Sequence, residues 1–352
     1  MGARSWRSLV GWPQLRPDPR AVLGLGLCGL AWGVAIAPNR QPLEGALRLS
    51  ALGFTFQPPP QQASGSAQGF LAISLRSLSI KGLDKGKPLL LPFHGQRLPL
   101  DGGRALSLIA FATEPLELRL AMAPGTRVAN LQLEGKDQLV LDLIPPRPAA
   151  SAAATDQAAP ELTIISPAGP AEGSGSALQA LYQEPGRPAR RLSAPEAQFP
   201  LPLAGAARLR LQRALPDRPV VFEPNLLVSQ VQFTTERKSL FDQSPITFST
   251  LRSGTLHLGR MEPLNLRADQ FLQIEPPGIA VLTSLRSDQN QLAVEVVGET
   301  QRIRSGLSQK HPTTVLSGTL LSRHLSPAQI SGFFGFLVGV ISSLVLSLFK
   351  GD

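Results

Sequence analysis

Residues able to do chemistry are few in this chain, and their spacing assembles none of the usual devices. The four histidines, His94, His257, His311 and His324, stand far apart, and none has a carboxylate or cysteine at metal-ligand spacing. His257 alternates with Leu256 and Leu258, which puts it on the solvent face of a strand. There is no Gly-x-Ser-x-Gly elbow, no Gly-rich loop ending in Lys-Ser/Thr and no His-Glu-x-x-His. Ser174-Gly175-Ser176 falls in a stretch too rich in Gly, Ala and Pro to hold a nucleophile in place. Glu114 with Glu117, and Asp269 with Glu275, come nearest to the carboxylate pair of a glycosidase, but solvation of strand surfaces accounts for them more simply. The single tyrosine, Tyr182, leaves nucleic acid without stacking partners. The sequence therefore predicts a non-enzymatic protein with no catalytic residues, no cofactor, no metal site and no nucleic-acid partner.

Two apolar segments frame everything else. Residues 329–349 contain no charge, and a helix of that length is roughly 30 Å long, the thickness of a bilayer's hydrocarbon core. Ser326-Pro327 supplies an N-cap followed by Pro at the first helical position, so the second transmembrane helix is drawn over 327–349. A first transmembrane helix is drawn over 21–37. Arg4, Arg7, Arg16 and Arg20 make 1–20 a basic N-terminus, which the positive-inside bias places in the cytoplasm. Ala35-Ile36-Ala37 resembles a signal-peptide cleavage site, but Pro38 directly after it disfavours cleavage, and an uncleaved anchor is expected. With two spans, both termini are cytoplasmic. Residues 38–327 then face the periplasm or the exterior, from an integral plasma (inner) membrane.

Both spans carry small residues at four-residue spacing. Ser331, Gly335, Gly339, Ser343 and Ser347 form one stripe, and Gly29 and Gly33 begin another. Small residues at i and i+4 let two helix backbones approach closely, so these positions predict helix packing: of the two spans with each other, by self-association, or with another membrane protein.

Net charge is +9, supplied mainly by arginine. A cluster of Arg187, Arg190, Arg191, Arg208, Arg210, Arg213 and Arg218 is the candidate site for an anionic lipid or glycan; a merely solvated basic segment is the plainer alternative. The one cysteine, Cys28, lies in the first apolar run, so no intramolecular disulfide can form. An exported region without disulfides is common in bacterial envelope proteins.

Between the anchors, short alternating apolar runs are separated by Gly, Pro and Asp. They predict mainly β structure: one or two antiparallel β-sandwich-like domains. The first β-domain is drawn over 43–144 and the second over 205–322. Residues 145–204, rich in Ala, Pro, Gly and Ser, are drawn as a flexible linker with a brief strand near Leu162. Glu114-Pro115-Leu116-Glu117-Leu118-Arg119 matches Glu262-Pro263-Leu264-Asn265-Leu266-Arg267, and 137–142 matches 290–295. Two copies of one domain, or chance recurrence in Leu-rich strands, both fit these matches.

The functional expectation is an accessory or scaffold subunit of a membrane complex in the cell envelope, with an extracytoplasmic β-rich region for protein–protein interaction. The alternative is a carrier or export component that binds lipid or anionic glycan in an apolar β groove.

Overall fold

The structure, a computed structural model, describes residues 19–57, 67–84, 86, 88–93, 95–110, 115–146, 159–165, 178–192, 198–238 and 244–349. These fall into two compact units. Arg40–Leu258 with Glu262–Ser317 is a β unit; the two terminal segments with Gly259–Met261 form a helical unit.

The β unit begins with β1 (Gln41–Leu49), β2 (Ala51–Phe56), β3 (Gln68–Gly82), β4 (Leu89–Phe93) and β5 (Gln96–Leu100). It continues through β6 (Ala105–Ala110), β7 (Leu116–Met122), β8 (Arg127–Glu134) and β9 (Gln138–Ile144). Next come β10 (Glu161–Ile165), β11 (Leu178–Gln183), β12 (Arg190–Leu192) and β13 (Gln198–Pro202). The last part holds β14 (Ala207–Arg213), β15 (Leu226–Gln232), β16 (Thr234–Lys238), β17 (Pro245–Ser249), β18 (Leu251–Leu258) and β19 (Leu264–Arg267). It ends with β20 (Phe271–Glu275), β21 (Ile279–Asp288), β22 (Gln291–Thr300), β23 (Arg302–Gly306) and β24 (Thr314–Ser317).

Alternation makes these strands. In β7, Leu116, Leu118, Leu120 and Met122 are buried, while Glu117 and Arg119 face out. Turn chemistry then joins them. Gly135, at φ 71°, closes the β8–β9 hairpin in a conformation that a side chain would strain. Gln289, at φ 54°, begins the two-residue turn between Asp288 and Gln291. Asp101 closes the β5–β6 turn by accepting from the Gly103 N–H (2.8 Å) and the Arg104 N–H (2.9 Å).

The Gly103 hydrogen bond above all holds the Asp101 carboxyl below its ordinary 3.8. Because the folded value is the lower one, the turn contributes fully above about pH 4 and loses that contribution as pH falls through the folded value. Asp101→Asn is therefore expected to lower the melting temperature at pH 6, with the difference from the wild type shrinking as pH falls below the carboxylate range, read by far-UV circular dichroism.

Every pairing in the main sheet is antiparallel, and the two halves of the chain follow one plan. Strand β2 pairs with β8 as β15 pairs with β21. Hairpin β8–β9 corresponds to β21–β22, and β3–β7 corresponds to β18–β19. The leading strands are exchanged. Strand β1 pairs with β22 and β18 of the second half, while β14 pairs with β9 and β3 of the first. Strands β2 and β15 pair with each other where the halves meet.

The exchange explains why the division into 43–144 and 205–322 does not follow the sheet. Each half lends its first strand to the other, and a single compact unit results. The crossing of β1 with β18 is close: a Cβ at Gly45 would run into the Leu256 side chain and stand 2.9 Å from the Thr255 carbonyl oxygen.

The described part of 145–204 is not a linker. Strand β10 extends the β7 edge and carries β13, and β11 extends the β6 edge and carries β12. Leu162, Ile164, Leu178, Ala180 and Leu201 are buried there. Burial of these short apolar runs against a preformed sheet outweighs a composition that resembles disorder.

The core is Leu and Phe. Phe70 lies between Phe54 and Phe222, with ring centroids 6.0 and 5.1 Å away. The pairing order β3–β14–β9–β8–β2–β15–β21 closes on itself through isolated bridges Val221↔Arg286 and Leu71↔Phe222. Phe70 sits at that closure.

Candidate functional site: a helix pair with an open small-residue face

The helical unit holds α1 (Pro19–Ala35), the short α2 (Leu320–His324) and α3 (Pro327–Phe349). A reciprocal cap starts α3: the Ser326 N–H donates to Gln329 Oε1 (2.9 Å), and the Gln329 N–H donates to Ser326 Oγ (3.4 Å). Within α3, Pro327–Leu346 is long and apolar enough to cross a membrane, and it is the one such helix among the described residues. Helix α1 is apolar and 17 residues long.

The chain brings these helices together as an antiparallel pair. Pro38 bridges Thr319, the Asn39 N–H donates to the Gly318 carbonyl (3.0 Å), and the Leu320 N–H donates to the Ala37 carbonyl (3.3 Å). Trp32 and Phe334 meet with ring centroids 4.7 Å apart. Further along, a Cβ at Gly24 would lie 3.0 Å from Leu344 Cδ1. Gly24, Trp32, Phe334 and Leu344 therefore mark the seam.

The residues expected to mediate helix packing are elsewhere. A Cβ built at Gly29, Gly33, Gly335 or Gly339 meets nothing within 4 Å. Ser331 and Ser343 are exposed as well, and Ser331 Oγ donates back to the Pro327 carbonyl (3.0 Å). The Ser347 side chain lies outside the described residues. The seam runs through Trp32, Phe334, Gly24 and Leu344, and the small residues at 29, 33, 335 and 339 lie off it. Sequence spacing found the stripe but missed the seam; an aromatic near the end of each apolar run was the available signal.

The structure scatters the candidate anion-binding arginines. Arg187 pairs with Glu184 (3.0 Å), Arg190 lies over the Tyr182 ring (5.9 Å), and Arg191 lies beside the Gln179 amide. Arg208 makes a two-pronged contact with Asp142 (2.6 and 2.8 Å), which raises the guanidinium's pKa. Arg210, on β14 opposite Ser79, and Arg218 are exposed.

Arg213 is 3% exposed and folds its own loop around itself, donating to the Arg218 carbonyl (2.9 Å) and the Pro216 carbonyl (2.9 Å). Burial lowers its pKa. Arg213→Met would leave both carbonyls without their donor. It is expected to cost roughly 2–3 kcal/mol in urea denaturation, whereas Arg210→Met should change stability by under about 0.5 kcal/mol.

The other candidates have structural roles. Tyr182 is buried, donates its hydroxyl to the Pro99 carbonyl (2.9 Å) and has its pKa raised by burial. Asp269 pairs with Arg252 (3.5 Å), and Glu275 with Arg304 (3.3 Å) and Arg302 (3.9 Å). Glu117, His257, His311 and His324 are exposed; His94, Glu114 and Ser174–Ser176 lie outside the described residues. No three His, Cys, Asp or Glu side chains among the described residues converge as a metal site would require. Open clefts of about 610 and 750 Å3 are lined by residues that include Lys136, Arg218 and Asn290 in the first and Asp142, Arg208 and Gln230 in the second.

These features define a class: a mainly β protein with a C-terminal apolar helix long enough to cross a membrane. Comparison with known proteins adds no relative, since no family model, curated protein or solved structure matches the chain.

Proposed function

We propose that this is a non-enzymatic, membrane-anchored envelope protein that acts as an accessory or scaffold subunit of a membrane complex. Helices α1 and α3 cross the inner membrane as a hairpin, with both termini cytoplasmic and residues 38–327 periplasmic or extracellular. Antiparallel contact along both helices supports this reading, because a span by α3 carries α1 through the same bilayer. So do the arginines before α1.

The observation that carries the proposal is the open face at Gly335 and Gly339. The chain's own helix seam leaves it unused, and in hydrocarbon a small-residue face gains its packing from a second helix. The occupant is a helix of another membrane protein or of a second copy. The test is purification from native membranes in mild detergent, comparing wild type with Gly335→Leu/Gly339→Leu and identifying every retained protein.

The carrier reading draws less support. The alternating Leu and Phe residues that would line an apolar groove are buried against each other: Phe54, Phe56, Phe70, Leu78 and Leu91 are at most 1% exposed. Lipid or glycan recovered without a protein partner would favour the carrier.

A further inference from the structure

We propose that Arg260 and Arg323, the former held by the His324 carbonyl, form a cationic collar that holds anionic phospholipid headgroups in the leaflet entered by the N-terminal end of α3. The inference rests on the reading that α3 crosses a bilayer, and it adds which lipid the protein selects.

Position comes first. His324 ends α2 and Pro327 begins α3. Even fully extended, the four residues from Arg323 to Pro327 span at most about 14 Å. A bilayer's interfacial layer is about 5–8 Å thick on each side. Arg323 and His324 are therefore held at or just above the headgroups whenever α3 is inserted.

Arg260 arrives from a turn more than sixty positions earlier in the sequence. That turn, Gly259–Met261, belongs to the same compact unit as the helices. One Arg260 Nη1 hydrogen donates to the His324 carbonyl oxygen at 3.0 Å. A carbonyl orients the guanidinium without neutralising it, and four of its five N–H groups are not used by that bond. All three side chains are exposed, and neither Arg260 nor Arg323 takes part in an ion pair found among the described residues.

Chemistry selects the occupant. Leu320, 42% exposed, shares α2 with Arg323, so this short helix offers an apolar side chain beside positive charge. That combination suits the boundary between headgroups and acyl chains. Topology does not explain the charges either: with a cytoplasmic N-terminus, they lie at the end of the span where the positive-inside bias disfavours arginine. An anionic headgroup array supplies the missing counter-charge.

The test uses the full chain in vesicles of phosphatidylcholine containing phosphatidylglycerol. Spin-labelled phosphatidylglycerol and spin-labelled phosphatidylcholine are compared as probes of the lipid immobilised at the protein surface. Each arginine near an anionic surface is worth about five-fold. We expect the wild type to prefer phosphatidylglycerol by roughly five-fold or more, Arg260→Gln and Arg323→Gln each to reduce that preference several-fold, and the double variant to approach parity.

Raising salt to about 1 M should weaken the wild-type preference toward the same limit. Equal binding of the two lipids by the wild type overturns the collar, as does a preference that survives in the double variant. Finding no immobilised lipid of either kind overturns the spanning reading instead, so the two failures are distinguishable.

Discussion

Phe70→Ala is expected to remove about 3–5 kcal/mol from the β unit, while Val221→Ala, at the same closure of the sheet, changes stability by less than about 0.5 kcal/mol. Phe70 is 0% exposed and fills the space between Phe54 and Phe222; Val221 is 62% exposed. Truncating the buried ring removes contacts with two distant segments at once and leaves a cavity that a rigid sheet closes only partly. The main chain compounds the effect, because the Phe70 carbonyl accepts from the Glu223 N–H (3.0 Å) and Leu71 bridges Phe222. A domain's total stability is about 5–15 kcal/mol, so the loss is a large fraction of it.

Urea denaturation followed by far-UV circular dichroism is the right measurement. All tryptophans, Trp6, Trp12 and Trp32, precede the β unit, so their fluorescence does not report its core. Similar values for the two variants would mean that closure at Phe222 contributes little to holding the sheet together.

What could be read from the sequence follows from how local each feature is. Strand β7 declares itself, because Leu116, Leu118 and Leu120 alternate with charged residues inside one short window. The Asp288–Asn290 turn and the start of α3 after Ser326-Pro327 are local in the same sense. The brief strand expected near Leu162 is β10, but β11–β13 were hidden because Leu178, Tyr182 and Leu201 sit among Ala, Pro, Gly and Ser, and only pairing with β6, β11 and β10 makes them strands.

The exchange of β1 and β14 could not be read from the sequence either. Alternation says which residues turn inward but not which distant strand lies beside them. The arginine cluster failed for a related reason. Arg208 finds Asp142 sixty-six positions away, and Arg213 becomes buried only because the loop after β14 folds over its guanidinium. The small-residue stripe was legible as spacing, but its orientation depends on Trp32 and Phe334, which fix the seam on another side.

That orientation makes Gly335→Leu/Gly339→Leu the variant with the largest expected functional effect. Both positions lie on an open helix face, so leucine enters without clashing inside the chain, and it improves both helix propensity and apolarity. Insertion and the α1–α3 pairing should therefore persist. A partner helix packed closely against that face has no such freedom: each added side chain must overpack or push it away, at about 1–3 kcal/mol per site. Two sites together predict at least a tenfold loss of retained partner, because about 1.4 kcal/mol is tenfold in affinity.

Two controls locate the effect. Val345→Phe adds bulk at an exposed position about 80° around the helix from Gly335 and about 120° from Gly339, and it should leave the complex intact. Gly24→Leu places bulk against Leu344, so it should disturb the helix pair itself. Loss of partner in Gly335→Leu/Gly339→Leu but not in Val345→Phe would establish the stripe as the interface. An unchanged complex mass in all three would remove the ground for a scaffold built on helix packing and leave the β unit as the surface that must account for any partner.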